Sequence, residues 1–307
     1  MDNSSKINLD WRVFGHTRQK GFFESTLSHG PLSHAYIFSG PSNIGKTSLA
    51  LDLAKILLCN SRENRPCTVC ASCRLPLPSS PDFVCLDQLG EIKIEQIRQI
   101  KQKMVFKSSF AKHKIALISN AENMNTQAAN ALLKFLEEPD QHTKIMLTTS
   151  RFANLPLTIG SRAHKIIFSK AGQQDVQRFL DSYKVPAKTA QQLISLCDGK
   201  IGLIKSCLDS NDFFENLKNI HSNFRIISHA GLVARLKLSS ALSALETNAL
   251  VDMLNHWLRF ADTKLSGESM KNTESFATLA TAIQEAIEAL GYNLNKKLVL
   301  DNLAINF

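Results

Sequence analysis

The chain has 307 residues, 44% of them hydrophobic, enough to bury a substantial core in two or three domains. No run approaches the roughly 20 apolar residues of a membrane helix, and the first six residues lack an apolar signal core, so we expect a cytoplasmic protein with no membrane contact. The net charge of +9 favours contact with phosphate backbones, and the odd count of seven cysteines argues against a disulfide framework.

Five short runs rich in β-branched and aromatic residues alternate with helical patterns up to about residue 169, which is typical of a parallel α/β sheet. The predicted strands are AYIFS (35–39), DFVCLD (82–87), KIALIS (114–119), KIMLTT (144–149) and HKIIFS (164–169). Cys85 falls within the second run and is predicted to be a core residue, like Cys197 and Cys207 on later helical patterns.

The first predicted strand leads into GPSNIGKT (40–47), which matches G-x-x-x-x-G-K-[ST] between a strand and a helix. In such a loop the glycines let backbone amides face phosphates, the lysine reaches the β/γ oxygens and the threonine ligates Mg²⁺. We therefore predict a site for ATP or ADP with Mg²⁺, formed by Gly40, Gly45, Lys46, Thr47 and Ser48. The alternative is an accidental match at a strand-to-helix turn.

Four cysteines, Cys59, Cys67, Cys70 and Cys73, follow the predicted P-loop helix with the spacing C-x7-C-x2-C-x2-C. Four thiolates at this spacing suit a closed tetrahedral Zn²⁺ site with a structural role. The alternative is a loop with free cysteines.

Hydrolysis would also need a carboxylate at the end of a strand beside the P-loop strand. We predict that neighbour to be residues 114–119, whose end reads Ser119-Asn120 instead of an acidic pair. Glu122, three residues past Ser119, is the candidate substitute.

After Lys170 the strand signals stop and the remainder is predicted to be amphipathic helices. The polar run DSND (209–212) offers a helix stop and a new N-cap. We therefore divide the chain into a nucleotide-binding domain at 1–169, with its zinc module at about 59–73, a helical lid at 170–210 and an all-helical domain at 211–307.

Together these motifs resemble the bacterial clamp-loader AAA+ subunits of DNA polymerase III, the family that comprises the gamma/tau motor and the delta prime subunit. The resemblance covers essentially the whole chain and is carried by HAYIFSGP (34–41), the cysteine insertion, NALLKFLEEP (130–139) and GSR (160–162). It implies a P-loop AAA+ sheet domain, a helical lid and an oligomerisation collar. It also implies a heteropentameric ring with gamma/tau and delta subunits that acts on the sliding clamp and primed DNA.

The resemblance further implies that Arg162 is an arginine finger, a residue that stabilises the transferring phosphoryl group on a neighbouring subunit. It also implies that His34 lies near the entrance of the nucleotide site and that one of Thr148, Thr149 and Ser150 approaches the γ-phosphate.

Two departures separate the chain from the motor subunit. By the resemblance, the motor has D-E-x-H at the positions of residues 119–122, where this chain has SNAE. The motor also has a lid arginine in a G-x-x-R run, where this chain has GKIG (199–202). These departures favour delta prime, an accessory subunit of the polymerase holoenzyme that binds ATP with little or no intrinsic ATPase activity. The alternatives are a gamma/tau-like motor that uses Glu122, and a zinc-dependent nucleic-acid-binding module unrelated to clamp loading.

Overall fold

The computed structural model describes residues 8–61, 63–88, 90–105, 108–137, 142–265, 270–292 and 294–306. The chain divides into two compact units, Met1–Lys205 and Ser206–Phe307. The three-part division at residues 169 and 210 stays a prediction.

The first unit combines one main parallel sheet with helices on both of its faces. In chain order its elements are β1 (Asn8–Leu9), α1 (Thr17–His29), β2 (Ala35–Ser39), α2 (Lys46–Leu58), β3 (Asn64–Arg65), α3 (Ala71–Arg74), β4 (Phe83–Leu86), α4 (Ile94–Val105), β5 (Lys114–Ile118), α5 (Thr126–Glu137), β6 (Thr143–Thr149), α6 (Leu157–Gly160), β7 (His164–Ile167), α7 (Gln173–Ser182), α8 (Ala187–Cys197) and α9 (Ile201–Asp209), the last of which runs into the second unit.

All five predicted strands are present, and they form one parallel sheet in the order β4-β5-β6-β2-β7. The predicted parallel α/β core is therefore confirmed. The prediction that residues 114–119 neighbour the P-loop strand is wrong, because β6 pairs with both β2 and β5 and separates them. The crossover from β5 through α5 places β6 between β5 and the P-loop strand.

The sheet lies between two apolar layers, which explains why its central strands are continuously hydrophobic. Successive side chains of a strand point to opposite faces, so Tyr36 and Phe38 pack with α1 and α2 while Ile37 packs with α4 and α5. Strands β2, β5 and β6 are buried along their whole length.

Strand β4 forms one edge of the sheet, and its side chains are less completely covered. Cys85 is exposed there, so the prediction that it is a core residue is wrong. Cys197 and Cys207 are buried, as predicted.

The described chain after β7 is helical, as predicted, and the run DSND marks the end of one helix and the start of another. Helix α9 ends at Asp209, and the Ser210 side chain caps the next helix by accepting a hydrogen bond from the Phe213 N–H at 3.2 Å. The elements that follow are α10 (Asn211–His229), α11 (Leu232–Leu242), α12 (Thr247–Leu265), α13 (Met270–Gly291) and α14 (Lys296–Ile305). None of the helices, as far as the described residues go, is both long and apolar enough to cross a membrane.

Candidate nucleotide site and cysteine cluster

The predicted P-loop lies between the end of β2 and the start of α2. Its backbone is left-handed at Asn43 (φ 61°) and Gly45 (φ 102°), conformations that favour glycine and asparagine. A Cβ atom on Gly40 would stand 2.3 Å from the Phe168 carbonyl oxygen, so only glycine fits where β2 leaves the sheet. The tight turn expected from the motif is therefore present.

Lys46 places a buried positive charge in this loop. The residue is 8% exposed, and its Nζ donates to the carbonyl oxygens of Gly40 (2.7 Å) and Pro41 (2.6 Å). Burial lowers the pKa of Lys46 to about 8, although the Glu122 carboxylate acts in the opposite direction. Thr47 and Ser48 complete the first turn of α2, whose free amides and dipole attract anions. These residues fit the phosphates of a nucleotide.

We expect Mg²⁺–ADP affinity to be constant below pH 8 and to fall above it. The protonated ammonium of Lys46 pairs with phosphate, so above its pKa of about 8 the free protein must take up a proton to bind. Affinity should then drop by up to about tenfold per pH unit. Calorimetric titrations at pH 7, 8 and 9 measure this, with Lys46→Met as the variant that should bind weakly at every pH. An equally steep fall between pH 7 and 8 would contradict this role of Lys46.

The end of β5 carries no carboxylate where the motor subunits have one. Ser119 is 1% exposed, and its hydroxyl has no hydrogen-bond partner among the described residues. The Asn120 side chain donates to the Gln88 carbonyl oxygen at 3.1 Å. Neither residue offers a carboxylate that could hold Mg²⁺.

Glu122, by contrast, is held at the P-loop by the end of β6. Its Oε1 accepts hydrogen bonds from the Ser150 N–H (2.9 Å) and the Ser150 hydroxyl (2.5 Å), and its carboxylate raises the pKa of Lys46. The same strand end contacts the P-loop directly, because the Gly40 N–H donates to the Thr149 carbonyl oxygen at 3.2 Å. One carboxylate is therefore available beside the candidate phosphate site.

The histidine beside the P-loop is His16, and the expectation for His34 is wrong. His34 directly precedes β2 and therefore lies at the N-terminal ends of the strands, whereas the P-loop follows the C-terminal end of β2. The His16 Nε2 donates to the Ile44 carbonyl oxygen at 2.6 Å, and its ring packs edge-on against Phe168. No motif marks His16, because it lies far upstream of the loop that it contacts.

The predicted lid contacts the P-loop directly through α9. The Leu203 N–H in the first turn of α9 donates to the Asn43 carbonyl oxygen at 3.2 Å. A Cβ atom on Gly202, the residue at the position of the motor's lid arginine, would stand only 2.6 Å from the same oxygen. The backbone of α9 therefore approaches the loop too closely for any side chain at residue 202.

Replacement by alanine should have opposite effects on stability at two helical glycines, because only Gly202 lies against the backbone of another segment. Gly21 in α1 has no atom within 4 Å of a new Cβ, so Gly21→Ala should stabilise the fold by about 0.5–1 kcal/mol. Gly202→Ala should instead destabilise it by about 1–3 kcal/mol, because α9 must move away from Asn43. Urea unfolding measures both variants, and equal effects would contradict the close approach.

The four predicted zinc ligands come together at the end of α2. The Sγ atoms of Cys59, Cys67, Cys70 and Cys73 all lie within 4.8 Å of one another. The Cys59 sulfur accepts from the N–H groups of Ser61 (3.4 Å) and Cys67 (3.3 Å), and the Cys67 sulfur accepts from that of Cys70 (3.4 Å). Hydrogen bonds from Cys70 and Val69 lower the pKa of the Cys67 thiol, whereas burial raises the pKa of Cys59 and Cys73. Four sulfurs this close together, two of which accept backbone hydrogen bonds, fit a tetrahedral Zn²⁺ ion.

Arg162 lies after α6 and just before β7, at the N-terminal ends of the parallel strands, whereas the P-loop lies at their C-terminal ends. Its guanidinium donates to the Glu137 carboxylate at 2.9 Å and remains 38% exposed. Tyr36 pairs with His164, and Gly40 is four residues further along β2, about 13 Å at 3.3 Å per residue. Arg162 is therefore accessible from outside and remote from the chain's own phosphate site. Glu138 and Pro139 of the NALLKFLEEP run lie outside the described residues.

Comparison with known proteins decides the family. A family model described as "DNA polymerase III, delta subunit" matches residues 15–172, just over half of the chain. The chain belongs to this family. Membership in the DNA polymerase III delta-subunit family confirms the resemblance to clamp-loader AAA+ subunits at the family level, and it contradicts the alternative of a module unrelated to clamp loading.

Relatives of this chain include gamma and tau subunits of DNA polymerase III. The DNA polymerase III subunit tau of Bacillus subtilis is 29% identical over 77% of this chain and 44% of its own length. The Escherichia coli subunit tau is 38% identical over 44% of this chain and 22% of its own length. The chain thus spans less than half the length of these relatives.

A solved structure supports the fold alone. The gamma subunit-related protein of Thermotoga maritima aligns with a TM-score of 0.56 over 94% of this chain and 98% of its own, at 19% identity.

Proposed function

We propose that this chain is a subunit of the DNA polymerase III clamp loader, of the delta prime type, that helps to load the sliding clamp onto primed DNA. In this proposal it joins gamma/tau and delta subunits in a heteropentameric ring and supplies Arg162 to the ATP of a neighbouring motor subunit. The observation that carries the proposal is the position of Arg162, exposed and separated from the chain's own P-loop by the length of β2.

The end of β5 supports little or no ATPase activity of the chain itself. A nucleotide bound by Lys46 and Thr47 would meet Ser119 and Asn120 where a motor holds Mg²⁺ with carboxylates. The proposed role of the nucleotide is therefore to stabilise this domain, since a ligand that binds only the folded state adds to its stability.

Glu122 supports a second candidate function, that of a gamma/tau-like motor. Its carboxylate is anchored by Ser150 and interacts with Lys46, which is where an acidic residue would act on bound nucleotide. Steady-state ATPase assays on the isolated chain separate the two functions. Turnover that Glu122→Gln abolishes, and that the exposed control Glu95→Gln preserves, would favour the motor.

The test of the first proposal is reconstitution with gamma/tau and delta subunits. We expect the chain to enter a stable complex and to be required for clamp loading on primed DNA, with little or no turnover when it is alone. Failure to associate with either subunit would overturn the proposal.

The cysteine cluster and the helices have proposed structural roles. We assign a structural Zn²⁺ to Cys59, Cys67, Cys70 and Cys73, the lid to residues 170–210 and the oligomerisation collar to residues 211–307. In support of the collar, the described helices of the second unit have their own core around Trp257, which is 1% exposed.

A further inference from the structure

A cavity of about 670 Å³ lies between the C-terminal half of α2, the segment 66–80 and the edge strand β4. Its volume is within the range of about 300–1,000 Å³ that is typical of ligand sites. Leu58, one of its lining residues, is about 18 Å from Lys46 along α2 at 1.5 Å per residue. Neither the P-loop residues 40–48 nor Arg162 is among the lining residues, so the cavity is separate from both.

The interior of the cavity is largely apolar. Leu51 and Leu58 line it from α2, and Leu77 and Phe83 line it from the segment that leads into β4. At its margin Leu75 is 37% exposed, although leucine side chains are usually buried. Such a surface gains free energy when a partner's apolar side chain covers it.

The rim of the cavity is positively charged and incompletely paired. Arg12, Lys55 and Arg74 line it beside Cys73 of the cysteine cluster, and none of its lining residues is a carboxylate. None of these three cations has an ion-pair partner among the residues that the structure describes. The Ser72 hydroxyl in the same wall is also without a described partner, although the residue is only 8% exposed. Buried hydroxyls normally have one.

We propose that this cavity is a docking site for a peptide segment of a partner protein, with carboxylates next to one large apolar side chain. The apolar side chain would lie against Leu51 and Leu75, which are the more exposed leucines of the lining. The carboxylates would pair with Arg12, Lys55 and Arg74, and complementary charge of this kind steers association and fixes orientation. This inference rests on the proposed structural zinc, which holds the segment 59–74, and does not depend on the proposed role in clamp loading.

The lining favours an acidic peptide over nucleic acid. Single strands are bound by a groove that tracks the backbone and by accessible aromatic rings on which bases stack. Phe83 is the aromatic residue of this lining, and it is 6% exposed, with its ring in the core of the sheet. Three cations around an apolar space suit a short acidic segment better than a phosphodiester chain.

The test measures fluorescence anisotropy of a labelled peptide, Asp-Asp-Asp-Gly-Phe, on the zinc-loaded full chain. We expect saturable binding that the lysine counterpart of the peptide and a version ending in Gly-Ser both lose. Arg74→Glu should weaken binding about tenfold or more. Arg12→Glu, outside the cysteine module, should do the same, whereas Arg178→Glu on the exposed face of α7 should have less than about a twofold effect.

Cys85 offers an independent measurement, because it is exposed and lines the cavity. The bound peptide should slow its alkylation by iodoacetamide, as followed by mass spectrometry. Equal binding of acidic and basic peptides, no effect of either arginine reversal, or no protection of Cys85 would each overturn the proposal. Displacement of the peptide by oligothymidylate with the same sensitivity to Arg74→Glu would also overturn it and would indicate a nucleic-acid surface.

Discussion

Replacing Arg162 with alanine should lower ATP turnover at the site that it faces in the reconstituted clamp loader by about 10³-fold. An arginine supplied by a neighbouring subunit stabilises charge on the transferring phosphoryl group, an effect worth about 10³ to 10⁵ in rate. Single-turnover hydrolysis in a complex with one active motor site measures this change. Arg162→Lys should lose most of the activity as well, because lysine keeps the charge and lacks the planar fork of the guanidinium.

Two controls separate catalysis from assembly. The ion pair between Arg162 and Glu137 is about 40–50% exposed, so its loss should cost no more than about 1 kcal/mol and leave the complex intact. Arg178→Ala removes another exposed arginine, one paired with Asp175, and should leave turnover unchanged. If Arg162→Ala and Arg178→Ala turn over ATP equally fast, the proposed arginine finger is wrong.

Replacing Cys70 with serine should abolish zinc binding and unfold the segment 59–74 while the sheet stays folded. Between Leu58 and Leu77 the buried side chains, among the described residues, are Cys59 and Ser72, so this segment has no apolar core of its own. Structural zinc contributes about 10–16 kcal/mol to the folding of isolated zinc-binding peptides. The metal is therefore expected to supply most of the stability of this segment.

Zinc content by mass spectrometry and limited proteolysis within residues 59–74 measure the effect. Cys85→Ser is the matched control, because Cys85 is an exposed thiol outside the cluster and its loss should leave one zinc per chain. A Cys70→Ser protein that keeps its zinc, or a zinc-free segment that resists protease, would contradict the prediction.

The strands of the main sheet could be predicted from the sequence, but their order within the sheet could not. Hydrophobic runs identify β2 and β4 to β7 because both faces of the central strands are buried, whereas the two-residue strands β1 and β3 contain no such run and are not predicted. The P-loop motif is recognisable because glycine spacing, lysine and helix start are local features. The position of β6 between β2 and β5 depends on how the crossover through α5 returns to the sheet, which no local pattern records.

The same distinction applies to the site residues. Four cysteines within fifteen residues form a local pattern, and their sulfurs do come together. His16 contacts the P-loop, and Glu122 contacts Ser150, only through tertiary structure. The contact of Gly202 with Asn43 likewise joins two segments that are far apart in the sequence.

Helix α2 begins at Lys46 and ends one residue before Cys59. A single rigid rod of thirteen residues, about 20 Å long, thus has the candidate phosphate site at one tip and the first thiolate of the cluster at the other. A tilt of about 5° around the first tip swings the second by nearly 2 Å. A reorientation of α2 that begins at bound phosphates would therefore displace the cysteine cluster at the other end of the helix.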